Sequence, residues 1–134
     1  MNIKHVEHIG IAMPSEEESL QLGRLLFGRE PDTVEEVSSQ KVKTYIYKVG
    51  QTKIEFLVPT SEDSTIAKFL SDRGQGLHHL AFAVDSVEEA IQELKEKGVR
   101  MLDESPREGV EGTRIAFIHP KSTGRLLVEL VEGE

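Results

Sequence analysis

The chain has 134 residues, 37% of them hydrophobic and 30% charged, with a formal net charge of −8 at pH 7 and an isoelectric point near 5.2. One domain is expected, because either half alone would bury too little apolar surface to hold a secure core. The acidic balance argues against a general nucleic-acid or anionic-membrane surface, and the absence of cysteine excludes disulfides, thiolate metal sites and cysteine nucleophiles.

Val6 to Met13 are β-favouring or small and predict a first strand. Pro14 punctuates it, and Ser15 with Glu18 three places on predicts a capping-box start for a helix to about Phe27, closed by Gly28. A strand from Thr33 to Val37 follows, then the alternating runs "KVKTYIYKV" and "TKIEFLVP", joined near Gly50 as a hairpin. Residues 60–73 predict a short connector helix with Ile66, Phe69 and Leu70 turned inward. The order then repeats. A strand runs from Leu77 to Val84, Asp85 and Ser86 cap a helix through Lys97, and Val87, Ala90, Ile91 and Leu94 share one helix face ahead of Gly98. A strand near Val99 to Leu102, a loop "DESPREGVEG", a strand "TRIAFIH", a turn "PKSTG" and a last strand "RLLVELV" complete the chain. The expected fold class is therefore α+β, with two βαβββ modules forming a curved mixed sheet around a central cleft. Module one covers about 1–59, the connector about 60–73 and module two about 74–134. No window approaches eighteen consecutive apolar residues, and "MNIKHVEHIG" lacks the pattern of a leader, so a cytoplasmic location is expected.

His8 opens "HIGIAM" and His79 opens "HLAFAV"; Glu55 follows the first by 47 residues and Glu129 follows the second by 50. A lone histidine on a strand is ordinarily hydrogen-bonded structure, but His, Glu, His, Glu in a duplicated frame is the pattern of a metal site built at a pseudo-two-fold axis. Side chains alternate across a strand, so His8 shares a face with Val6, Gly10 and Ala12, and His79 with Leu77, Ala81 and Ala83. Those small neighbours suggest space kept for a ligand. Glu129, set among Leu126, Leu127, Val128, Leu130 and Val131, is costly there unless paired, protonated or coordinating. His78 must face away from its neighbour and reads as structural, and His5 is expected to be exposed. Nitrogen and oxygen donors without sulfur suit Co, Ni, Mn, Zn or Mg with open positions for a Lewis-acid role.

These residues resemble the vicinal oxygen chelate (glyoxalase/bleomycin resistance/dioxygenase) superfamily over essentially the whole chain, and within it the methylmalonyl-CoA epimerase family. The segments that carry the resemblance are "HIGIA" at His8, "DSTIAKFL" from Asp63, "GLHHLAFAVDS" from Gly76 and "RIAFIHPKSTGRLLVEL" from Arg114. It implies metal ligation by His8, Glu55, His79 and Glu129, methylmalonyl-CoA as substrate, Glu129 as the catalytic carboxylate, and a homodimer. Some such epimerases carry a second catalytic glutamate where this chain has Thr44, which cannot serve as a carboxylate base. Lys41, Arg114, Lys121 and Arg125 are candidates for the phosphates of a CoA ester. The rival readings are a glyoxalase-like isomerase, a ring-cleaving dioxygenase, which needs only two histidines and one carboxylate, and a metal-free sequestering module of the bleomycin-resistance type.

Overall fold

The computed structural model describes residues Met1 to Gly133. Among them are eight strands, β1 (Ile3–Ala12), β2 (Thr33–Val37), β3 (Val42–Val49), β4 (Thr52–Pro59), β5 (Gly76–Val84), β6 (Arg107–Glu108), β7 (Arg114–Ile118) and β8 (Val128–Glu132). Three α-helices, α1 (Glu16–Phe27), α2 (Thr65–Arg73) and α3 (Val87–Glu96), complete two successive βαβββ runs joined by α2. No described helix is long and apolar enough to cross a membrane.

The helices begin where short polar side chains replace the missing first-turn carbonyls. The hydroxyls of Ser15, Ser64 and Ser86 accept from the amides of Glu18, Ala67 and Glu89. Gly28 ends α1 in the left-handed region at φ 66°, a conformation that glycine adopts without a Cβ penalty.

Two compact units divide the chain. The first comprises Ile9–His78. Its strands lie in the order β2-β3-β4 with the second half of β1 alongside, the pairs β2–β3 and β3–β4 being antiparallel. Period-two alternation sends Tyr45, Tyr47 and Phe56 to one face, where Met13 and Val58 join them and Leu20, Leu22 and Phe27 of α1 pack. Val42, Leu57 and Ala12 cover the other face with Ile66, Phe69 and Leu70 of α2.

The second unit comprises Met1–His8 and the chain from His79 onward. β5 pairs parallel with β8, β8 antiparallel with β7, and β7 antiparallel with β6. α3 buries Val87, Ala90, Ile91 and Leu94 against Ala116, Ile118, Val128 and Leu130. Each fully buried Val, Leu or Ile contributes about 1.5–3 kcal/mol, so this helix face is the largest apolar reserve of the unit. The Val87 amide also donates to Glu132 at 2.7 Å, which ties the end of β8 to the first turn of α3.

Three expectations are corrected. Val99 to Leu102 forms no strand, only a single bridge between Met101 and Ile118, because Asp103 turns back and its carboxylate accepts from the Phe117 amide. The expected loop "DESPREGVEG" contains β6, paired to Ile115 and Arg114. β8 begins at Val128 rather than Arg125, since Arg125 lies at φ 72°, outside the extended region.

Candidate metal centre

Register brings the second unit's polar groups to one place. Glu129 on β8 lies between Ala81 of β5 and Phe117 of β7, so these three side chains share a face. His79, two residues before Ala81, shares it too. Ala81 is fully buried and packs with Ile115, Val131 and Phe117, so this small residue is filled around rather than left beside open space. Its methyl group still leaves the Glu129 carboxylate room to lean toward His79.

His8, from the β1 segment of the same unit, supplies the third group. Its Nε2 stands 2.9 Å from His79 Nε2 and 3.1 Å from Glu129 Oε1, and His79 Nε2 stands 3.3 Å from that same oxygen. The two rings meet edge-on, 87° apart, with centroids separated by 5.0 Å. Each of the three residues is 6% exposed. Burial is the largest single influence on the Glu129 carboxyl and raises its pKa. The hydrogen bonds from His79 and His8, with the charge on those rings, outweigh it and hold the group at about 2.

Sequence reasoning missed a fourth group. The Glu7 carboxylate, 3% exposed, lies 2.5 Å from His8 Nδ1. Alternation along a strand places consecutive side chains on opposite faces, and that rule hides a contact between neighbours. The available signal was an acidic residue inside the apolar β1 sequence, directly before a candidate ligand.

A carboxylate oxygen accepts only, so His8 Nδ1 must carry the proton it donates to Glu7. With Nδ1 protonated, Nε2 donates to Glu129 only while the ring is a cation; in the neutral ring it is a bare lone pair, facing that carboxylate oxygen and a second imidazole nitrogen. Three such atoms within 3.3 Å of one another make a donor set that would fit one cation at their centre. Donors about 2.1 Å from one ion stand about 3.0 Å apart at right angles and about 3.4 Å apart at the tetrahedral angle. The spacings found fall in that range, and the donor set is the nitrogen and oxygen chemistry of a borderline or hard divalent ion.

Glu55, on β4 of the other unit, is 5% exposed and opposite Ile46 of β3. Thr44, 2% exposed, lies opposite Glu35 and Leu57 on the same sheet face as Glu55. His78 is half-buried, edge-on to Phe69 at 4.9 Å, a structural contact as expected; His5 is half-buried rather than exposed. Lys41 pairs with Asp63, and Arg114 with Glu88 and Glu132, while Lys121 and Arg125 are exposed at the turn before β8.

Residues 7–117 match the family model described as "Glyoxalase/Bleomycin resistance protein/Dioxygenase superfamily". An uncharacterized protein of Bacillus subtilis is 37% identical, covering 97% of this chain and 93% of that one. The mitochondrial methylmalonyl-CoA epimerase of Homo sapiens is 33% identical, covering 98% of this chain and 76% of its own length. A solved methylmalonyl-CoA epimerase in complex with methylmalonyl-CoA and NH4+ superposes with a TM-score of 0.90 at 34% identity, covering 98% of this chain and 96% of that one.

Proposed function

From the premise that this chain belongs to the glyoxalase/bleomycin resistance/dioxygenase superfamily, we propose that it is a metal-dependent methylmalonyl-CoA epimerase, interconverting the (R) and (S) forms. The observation that carries the reading is the convergence of His8 Nε2, His79 Nε2 and Glu129 Oε1 within 3.3 Å of one another. His8, His79 and Glu129 would hold the ion, with Glu55 as fourth ligand. Support for Glu55 comes from its place in the first module, which matches that of Glu129 in the second, and from its burial.

The substrate's α-carbon bears a hydrogen made acidic by a thioester carbonyl and a carboxylate. A divalent ion at this site supplies a Lewis acid that stabilises negative charge developing on the thioester oxygen. Glu129, whose carboxylate meets both histidine nitrogens at this point, is the proposed acceptor of the α-proton. The C–H electron pair passes into the enolate, and a proton returned to the opposite face re-forms the bond with inverted configuration. Thr44 cannot be a carboxylate partner in that return, so the second proton comes from water or from another side chain. Burial of the site keeps bulk water from quenching the enolate at random. The protein is further proposed to act in the cytoplasm as a homodimer, with no nucleic-acid or membrane partner. Lys121 and Arg125, exposed beside the last strand, are proposed to meet the CoA phosphates.

The test uses metal-reconstituted protein and one stereoisomer of methylmalonyl-CoA in deuterated water. Epimerisation with deuterium appearing at the α-carbon is the expected result. Unchanged substrate at high enzyme concentration would remove the assignment.

A further inference from the structure

The two modules differ at the residue before each histidine. Glu7 precedes His8, whereas His78 precedes His79 and turns to Phe69. Only the first module therefore places a carboxylate against its histidine by this route, and the Glu7 side chain is 4% exposed, bonded to His8 Nδ1. An ionised carboxylate so deeply buried is costly unless the groups it meets return that cost.

We propose that Glu7 is a positioning residue, which fixes the His8 tautomer and thereby aims the Nε2 lone pair at the point shared with His79 Nε2 and Glu129 Oε1. This inference rests on the metal-site reading above. A free histidine side chain in water favours the tautomer with hydrogen on Nε2, and that hydrogen would occupy the very position an ion requires. Accepting the Nδ1–H reverses the preference. The carboxylate also locks the ring's rotation and makes the imidazole a stronger donor, effects that elsewhere change metal affinity about 10–100-fold when the outer partner is removed. In this role Glu7 acts through His8, to whose Nδ1 it is bonded.

The experiment is a Co²⁺ titration against a competing chelator, with the native chain, Glu7→Gln and His8→Ala compared, and the metal-free variants first checked for native circular dichroism. Glu7→Gln keeps the shape and removes the charge, and should weaken Co²⁺ binding about 10–100-fold. Binding within threefold of native, while His8→Ala loses the ion, would overturn the role of Glu7 and leave the metal site standing. If His8→Ala binds Co²⁺ as the native chain does, the metal site itself fails and the inference with it. A measurement on the native protein removes dependence on the variant's folding. In the zinc-loaded, ¹⁵N-histidine-labelled chain, His8 should show Nδ1–H protected from exchange and shifted far downfield, with Nε2 bound. Ligation through Nδ1, or an Nδ1–H that exchanges freely, would overturn the proposal.

Discussion

Replacing Gly23 by Ala probes the seam between α1 and β3 that backs the first unit. Inside a helix this exchange ordinarily stabilises by about 0.5–1 kcal/mol, since Ala loses less backbone freedom. Here the new Cβ would stand 2.0 Å from the Tyr47 hydroxyl oxygen and 2.3 Å from its Cζ. The ring has nowhere to retreat, being fully buried with Phe27 at 4.9 Å and Phe56 at 5.5 Å between centroids. Overpacking a core costs about 1–3 kcal/mol, and a rigid ring forced aside belongs at the upper end. Setting the helix gain against it leaves a net loss of about 2 kcal/mol. For a chain of this length that is a fall in melting temperature of roughly 8 °C. Urea titration of metal-free protein, followed by circular dichroism, measures it directly. The cost should shrink in a Tyr47→Leu background, where the side chain ends short of the helix. An Ala variant as stable as the native chain would refute this account of the seam.

Four further outcomes are expected. Tyr47→Phe should leave stability equal or higher, because the Tyr47 hydroxyl is buried with no partner and its removal relieves a desolvation cost of about 1–3 kcal/mol; a loss above about 1 kcal/mol in urea titration would contradict this. Glu129→Gln should slow α-proton exchange about 10²–10⁴-fold with the fold intact, as read by deuterium incorporation. In chelated protein the same variant tests the carboxyl's low pKa: a depressed value stabilises the fold above the unfolded pKa of 4.5 and is lost as pH falls toward about 2. The stability gap between native and variant, on the order of 3 kcal/mol at neutral pH, should close across that window, and a pH-independent gap would exclude it. Finally, an ion present at a hundred times its dissociation constant should stabilise the native chain by about 2.7 kcal/mol, seen as a melting rise on the order of 10 °C. Chelation should reverse the rise and His79→Ala should abolish it.

Most of the fold could be read from local chemistry. Ser15 and Ser86 marked the starts of α1 and α3 because a capping hydroxyl needs only its own neighbours, and alternation fixed which residues of β5 share a face with His79. What escaped depended on contacts between distant segments. Val99 to Leu102 has strand composition, yet its pairing stops where Asp103 engages Phe117, and β6 exists only because β7 lies beside it. The site divides in the same way. The repeat exposed His8, His79 and Glu129, since duplication leaves a mark in spacing. Glu7 left none, because its partner is the adjacent residue and its counterpart in the second module is a histidine.

His8 and Glu129 meet although 121 positions separate them along the chain. During synthesis the first histidine therefore emerges long before its carboxylate partner, and no nascent intermediate short of β8 can hold a complete set of donors. Capture of the proposed ion would therefore follow the addition of β8 rather than guide earlier folding steps. Closure over so long a span also predicts slow assembly, governed by non-local contacts. A chain interrupted before β8 would lack Glu129 and so the carboxylate of the proposed donor set, which gives a simple chemical distinction between copies with and without that strand.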